Sequence, residues 1–393
     1  MAKTMRILIV GAGPAGLAFA AALRLHGMTP VVVERAEKNR AAGYAIGMHV
    51  NGWNAAERLG LLDAFRARAV GLGTAEYRNP KGRRLFSYNY HALARGVGGK
   101  MFSIMRDSVQ GVLVDAVSNH AELRYGTTVA ALEDHQDGVD VQFSTGASER
   151  FDIVVGSDGW RSTIRELCFG PHETYLRPLG FRAAAWRMPL AAPLDSSFVG
   201  MMDVDHQGGL YEVGDGTAAT LFCWRDSATD RVPPEERQRM LVERFGAWAA
   251  PVSQALSTPV DWQRGFFDTI AQIDMPRWSS GRVVLLGDAA WCLTFLSGQG
   301  TSTALAGSWI LASELAVKSH SEAFATYEAR LRPMITRMQA TSRRIGGHFV
   351  PESRTGLRIE SWVFPLLLSR PLAGILARRM LAEELDLDLP ARV

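Results

Sequence analysis

Cysteine is scarce. The 393 residues hold three, Cys168, Cys223 and Cys292, far apart, with no CxxC pair and no Cys/His spacing of a metal site. That argues against a disulfide framework or a zinc centre, leaves no metal to expect, and favours a reducing, cytoplasmic setting. Long hydrophobic runs are also missing. The N-terminus MAKTMRILIV sets basic residues before an apolar stretch, as a signal peptide does, but glycines and Pro14 interrupt it at once. The longest late apolar run, Trp362 to Leu376, is broken by Pro365, Arg370 and Pro371, whereas a membrane span needs about 20 apolar residues. A soluble chain without a membrane span is expected. Charge of one sign is lacking too: a net +3 with 21% charged residues gives no reason to expect nucleic acid or an acidic membrane surface as partner.

What is present is enough apolar residue, 47%, for two intertwined domains, or two with a helical appendage. Residues 6–10 (RILIV) read as a strand buried on both faces. GAGPAG, the helical LAFAAALRLHG and a second apolar strand PVVVER follow, which together make one βαβ unit. Residues 51–68 read as a helix with Asn51 as a possible cap, and 107–118 as another, capped by Asp107 or Ser108. From 121 to 155 the chain reads as strands, including LRYGTTVAAL as one of them, and 175–226 is again strand-like and aromatic-rich. Pro233 to Trp248 is helical, VVLLGDAA (283–290) is a buried strand ending in a polar turn, and a mostly helical tail runs from about 320. Nucleotide-type segments thus occur early, near 150 and near 285. One domain is assembled from separated pieces, with a second sheet inserted.

Three stretches carry chemistry. In Gly11-Ala12-Gly13-Pro14-Ala15-Gly16, Gly11 permits the turn, Gly13 lets backbone approach a pyrophosphate, and Gly16 lets helix and strand pack closely. Glu34, at the end of the second strand, is placed to accept hydrogen bonds from ribose hydroxyls. These features choose a dinucleotide, not yet FAD over NAD; the bland alternative is a tight turn with no ligand. The second stretch, Gly156 to Arg165, puts small residues beside cations; it is either a second phosphate or ribose contact or a plain loop with Ser162 as helix cap. The third joins Gly287-Asp288-Ala289-Ala290 to Gly298-Gln299-Gly300-Thr301-Ser302: an acid at a strand end for a ribityl or ribose hydroxyl, then backbone N–H groups for an electron-rich edge.

In this order the three stretches resemble the FAD-dependent monooxygenases of the para-hydroxybenzoate hydroxylase type, a family that includes aromatic polyketide hydroxylases and tetracycline-inactivating monooxygenases. ERLGLLD (57–63), Arg106 before a helix and YEARLRP (327–333) agree, so the resemblance covers roughly residues 5–335. It implies an α/β fold (α+β overall): a Rossmann-like FAD-binding domain, an inserted β-sheet substrate domain and a C-terminal helical segment bridging them. The expected pieces are 1–75, 97–170 and 275–340 for FAD, 76–96 and 171–274 for substrate, and 341–393 for the tail. It further implies that Gly11, Gly13, Pro14, Ala15, Gly16, Glu34 and Arg35 hold the ADP half of FAD. Arg106 would reach the phosphates or ribityl chain, Asp158 and Gly159 would serve FAD and NAD(P)H, and Asp288 would bind the ribityl chain. The backbone of Gly298, Gln299, Gly300 and Thr301 would face the flavin ring, and Arg40 and Gly43 would belong to a mobile flavin-contacting loop. A second GxGxxG is absent, as the family, which has no separate nicotinamide domain, leads one to expect.

The implied activity is insertion of one oxygen atom from O2, through a flavin C4a-hydroperoxide and with NADPH or NADH as reductant, into a bulky hydrophobic, aromatic or polycyclic molecule, by a monomer or homodimer. Two departures lie beside the expected reaction site: Trp291 where the family commonly has His, and Thr294 or Phe295 where it has Pro. They suit an apolar pocket lined by Met48, Phe222, Trp224, Trp291 and Phe295, with Met101, Phe102 and Trp186 as further candidates. They also leave open a redox-silent cyclase or isomerase; separate alternatives are a geranylgeranyl-reductase-like enzyme, which shares the GxGxxG and GD motifs, and a non-catalytic binding protein. No catalytic side chain is singled out; His49, His206, Tyr211 and Arg225 are candidates for a base or positioning group. Trp362, Phe364 and Leu366–Leu368 are expected to pack in a helix across both domains.

Overall fold

The computed structural model describes residues 5–37, 43–71, 73–294, 297–368, 370–381 and 383–388. The first strand, Ile7–Val10, is buried along its whole length because it runs down the middle of a six-stranded sheet, parallel to Val31–Glu34 on one side and Ile153–Gly156 on the other. Glu122–Tyr125 extends that sheet beyond the second strand, and Val283–Leu285 extends it beyond Ile153–Gly156. Ser279–Ser280 closes the edge antiparallel. Strands distant in sequence therefore end side by side, and their carboxyl ends bring the three glycine-containing stretches together. Ligands bind at this place in open parallel sheets.

A second, eight-stranded sheet runs in the order Phe266–Ile273, Leu176–Ala185, Thr217–Arg225, His206–Gly214, Phe198–Asp203, Thr74–Arg78, Arg84–Asn89, with Arg187–Pro189 beside Thr217–Arg225. Its one parallel pairing, Phe198–Asp203 with Thr74–Arg78, is where an early hairpin joins strands made a hundred residues later. Helix Pro234–Phe245 packs Leu241 and Phe245 against this sheet among Trp186, Phe222 and Trp224. The mixed architecture is that of the expected α/β class.

Several local expectations shift. The 51–68 helix is two, Val50–Arg58 and Leu62–Arg66, parted at Gly60 with φ +71°. Asn51 does not cap it; its amide donates to Glu383 O at 2.9 Å and its carbonyl accepts from Leu385 N at 2.8 Å, tying down the C-terminal segment. The later helix begins at Arg106, ahead of both expected caps. LRYGTTVAAL is split at Gly126 (φ +66°) between the parallel sheet and a three-stranded antiparallel one that starts with Val129–His135. In the tail, Phe364 packs on Phe86 at 5.8 Å, but Trp362, Leu366 and Leu367 are exposed, so the expected packing is made by one side of the helix only. Among the described residues no single helix is long and apolar enough to cross a membrane.

The tightest point of the parallel sheet is the glycine loop. Gly11 holds φ +107° and donates to Val33 O at 2.8 Å, while Ser157 Oγ lies 3.0 Å from the carbonyls of Val10 and Gly11. A Cβ on Gly16 would sit 2.1 Å from Gly11 O and 2.5 Å from Ser157 Oγ. The backbone at Gly11 has nowhere to retreat, since it is itself pinned between two strands. Gly16→Ala is expected to destabilise the fold by about 3 kcal/mol or more and to lower the thermal midpoint of the purified chain by several degrees; an unchanged midpoint would show that the loop relaxes freely.

Candidate functional site

Two joined cavities open at the carboxyl ends of the parallel strands. The larger, about 660 Å³, reaches from the glycine loop to the eight-stranded sheet, and the smaller, about 170 Å³, runs out past Glu34 and Arg35. They meet at Gly13, Arg106, Ser157 and Gly159. The result is one elongated site with three regions of different chemistry.

The outer region is polar. Glu34 accepts from Ala12 N and Ala36 N, both at 2.9 Å, so its carboxylate is locked at the mouth of the small cavity. Asp158 accepts from Thr163 N at 2.7 Å, Ile164 N at 3.2 Å and the Ser162 hydroxyl, while Ser162 caps the same helix through Arg165 N at 2.9 Å. Burial raises the Asp158 carboxyl and those hydrogen bonds oppose the rise. Arg161 stacks over Trp160 at 3.8 Å and pairs with Asp268 at 2.8 Å.

In the middle region the start of helix Pro14–Leu25 is bare. No side chain caps Gly13, and a Cβ there would meet nothing within 4 Å. The first amides of the helix and its dipole are therefore offered to an anion, with Arg106 bordering both cavities. Asp288 lines the large cavity beside Gly298, Gly300 and Thr301. Its carboxyl opens onto the cavity yet is walled in by protein; burial raises it, and Arg106 and the Cys292 thiol pull it back. A buried arginine, Arg165, ties this region together: it donates to Ala289 O at 2.9 Å and Trp160 O at 2.6 Å, bracing the second stretch against the third.

The inner region is a chamber of aromatic hydroxyls. Tyr77, Tyr88, Tyr90 and Tyr211 line it with Phe198 and Leu221. Tyr88 hydrogen-bonds to Tyr77, which also takes one from Gln207, and Ser103 Oγ donates to Tyr90 at 3.1 Å. The Tyr211 hydroxyl accepts from Ala45 N. Burial pushes Tyr77 up to about 12 and raises Tyr88 and Tyr211 as well, so these groups are neutral donors and acceptors at physiological pH. His49 borders the same cavity. Burial lowers its imidazole to about 4, its ring hydrogen-bonds to the Gly298 backbone, and Nδ1 has no partner among the described residues.

The structure thus gathers Gly13, Pro14, Ala15, Glu34, Arg35, Arg106, Asp158, Gly159, Asp288, Gly298, Gly300, Thr301, His49 and Tyr211 around one site, with Gly11 at its outer edge. Gly16 stands behind the loop as a packing residue. Other expected residues lie elsewhere. Phe222 and Trp224 are wholly buried in the core beneath helix Pro234–Phe245. Trp291 is buried against Trp278 and Tyr327, at ring distances of 4.5 and 5.8 Å, so the departure from the usual His sits in the core rather than in the pocket. Met48 is fully buried beside Gly52. His206 packs edge-on to Phe245 and Arg225 pairs with Asp205 and Glu352, both outside the cavity. Gly43 is pressed against the Trp186 backbone, and Gln299 precedes helix Gly300–Leu315 without lining the cavity. Arg40 and Phe295 lie outside the described residues.

Sequence reasoning singled out Tyr211 but missed the other chamber tyrosines, Tyr77, Tyr88 and Tyr90, and also Tyr44, whose ring meets Phe266 at 5.3 Å on the cavity wall. The signal was the period-two spacing of Ala75 and Tyr77 and of Phe86 and Tyr88, which the register pairs across the hairpin.

The residues present fit FAD. An uncapped helix start and an open face at Gly13 suit a pyrophosphate, the fixed carboxylate of Glu34 lies on the side of a nucleoside, and the Gly298–Thr301 loop sits at the far end beside Asp288. Residues 4–342 match the family model described as FAD binding domain. The chain is 33% identical over 343 residues to an uncharacterized protein of Mycobacterium tuberculosis, covering 85% of this chain and 91% of that one. It is 31% identical over 345 residues to a flavin-dependent monooxygenase of an unknown prokaryotic organism, covering 86% and 89%. The solved tetracycline destructase Tet(55) superposes with a TM-score of 0.81 at 27% identity, covering 99% of both chains. The chain belongs to the FAD binding domain family, and is an FAD-dependent monooxygenase of the para-hydroxybenzoate hydroxylase type.

Proposed function

We propose that the enzyme, with NADH or NADPH as reductant, inserts one oxygen atom of O2 into a bulky aromatic or polycyclic molecule that carries hydroxyl or carbonyl groups. The carrying observation is the chamber of neutral tyrosine hydroxyls that continues directly from the glycine loops. Its rings offer flat apolar walls, and its hydroxyls offer hydrogen bonds that only an oxygen- or nitrogen-bearing ligand can complete. On this reading the pieces around the parallel sheet hold FAD and the eight-stranded sheet covers the substrate. Bound FAD would supply the redox chemistry, taking reducing equivalents from the nicotinamide nucleotide and activating O2.

The chain's own residues bind and position. The helix start at Gly13 and the charge of Arg106 hold the pyrophosphate. Asp288 would hold the ribityl hydroxyls, and the backbone N–H groups of Gly298, Gly300 and Thr301 would stabilise negative charge at the ring edge. Tyr77 and Tyr88 orient the substrate, and the apolar walls exclude water. His49, uncharged at neutral pH, borders the chamber and is suited to help position the substrate; an imidazole lowered to about 4 is too weak a base to take a phenol's proton.

The direct test incubates the FAD-loaded enzyme with 18O2, each nicotinamide nucleotide and a panel of polycyclic phenols. One labelled oxygen atom in a product is expected. Flavin that is never bleached anaerobically by either nucleotide, with or without panel compounds, would refute the reading.

Two substitutions separate roles. Gly13→Ala adds a methyl into open space, so the thermal midpoint of the apo chain should hold within a degree or two while FAD retention after gel filtration falls at least tenfold. Tyr88→Phe should raise KM for a hydroxylated substrate roughly tenfold, the loss of about 1.4 kcal/mol for one hydrogen bond, with the rate of flavin reduction unaltered.

His49 gives a pH signature. Its imidazole lies at about 4 in the fold against an ordinary 6.5, so the unfolded chain binds the proton first. Its contribution to stability is complete above about pH 6.5 and disappears as pH falls towards 4, about 3 kcal/mol in all. Urea midpoints measured across that window should decline less steeply for His49→Gln than for the parent; parallel curves would remove His49 from the account.

A further inference from the structure

We propose that the outer face of helix Arg354–Leu367 docks this enzyme on the surface of an anionic lipid bilayer. Ile359, Trp362, Val363, Leu366 and Leu367 follow one another at helical spacing and form a single stripe. All five are exposed, Trp362 at 83%, Leu366 at 64% and Ile359 at 57%, and Ile375 on the next helix adds another apolar side chain at 57%. The helix is held from behind, by Phe364 on Phe86, so the stripe is its free side. Scattered apolar residues are normal on a surface; a contiguous stripe centred on a tryptophan is the pattern of an interaction face.

The charge carried by this helix and the next chooses the partner. Residues 354–381 contain five arginines and one glutamate, in a chain whose whole net charge is only +3. Arg354, Arg358, Arg378 and Arg379 are exposed. A two-fold dimer through this face would set the same arginines against each other with only Glu360 to offset them. Anionic headgroups complement them, each basic residue near such a surface strengthening binding about fivefold. At 14 residues the helix is too short to span a bilayer, and it suits lying in the interface plane with its tryptophan at headgroup level. The strand behind it, Arg84–Asn89, carries Tyr88 of the chamber wall. A docked enzyme would therefore hold that wall close to the lipid.

The test is co-sedimentation of the full FAD-loaded chain with vesicles of phosphatidylcholine alone or mixed with phosphatidylglycerol, at low and high salt. Binding to the mixed vesicles, weakened by salt and largely lost with phosphatidylcholine alone, is expected. Trp362→Ser with Leu366→Ser should weaken it about tenfold per side chain, and Arg378→Gln with Arg379→Gln roughly 25-fold, with flavin content and far-ultraviolet dichroism unchanged. Three results would overturn the proposal: no sedimentation with anionic vesicles; binding indifferent to both double variants; or, by analytical ultracentrifugation, a dimer that Trp362→Ser dissociates in a chain that ignores vesicles, which would give the face to a second copy.

Discussion

The structure depends on one close approach of backbone to backbone. At the end of the first strand, Gly11, Gly16 and Ser157 are packed so tightly that no Cβ fits on either glycine without meeting a carbonyl. This contact fixes the first helix against the middle of the parallel sheet and aims its uncapped start outward. It also fixes the second motif, because Ser157 is one partner and Asp158 follows immediately. Arg165 then passes the constraint to the third motif through Ala289. Three stretches separated by nearly three hundred residues are thereby held as one rigid cradle.

Polarity divides the site along its length. At the outer end, charged groups are satisfied within the protein: Glu34 by two amides, Asp158 by a helix start, Arg161 by Asp268. These three shape the mouth with their charges already met by protein groups. At the inner end the polar atoms are uncharged hydroxyls on aromatic rings. Such a site rewards a ligand with charge at one end and a flat, weakly polar body at the other, which is how a dinucleotide and an aromatic substrate would share it.

The cofactor end was legible in the sequence because glycines constrain backbone, and backbone geometry follows from local spacing. Gly11 and Gly16 have no substitute there, and a glutamate ending the second strand falls where the parallel register puts it. The substrate end was not. Phe222 and Trp224 were attractive as bulky residues in a sheet, but alternate residues of a strand face opposite sides, and theirs faces a helix. Trp291 follows a conspicuous motif, yet a single turn rotates it into the core on Trp278. Conversely, Tyr77 and Tyr88 come from a hairpin more than a hundred residues before the strand it pairs with, and nothing local announces that parallel join. Side-chain direction in a long-range sheet depends on register, which composition does not reveal.

The central claim is that the glycine cradle and the tyrosine chamber are two ends of one site, and a crystal structure of the chain with FAD tests it most directly. The account predicts the pyrophosphate at the start of helix Pro14–Leu25, the adenosine beside Glu34, and the flavin ring against the 298–301 backbone with its free face towards Tyr77 and Tyr88. FAD bound with its ring away from the chamber, or a folded chain that takes up no FAD, would contradict it.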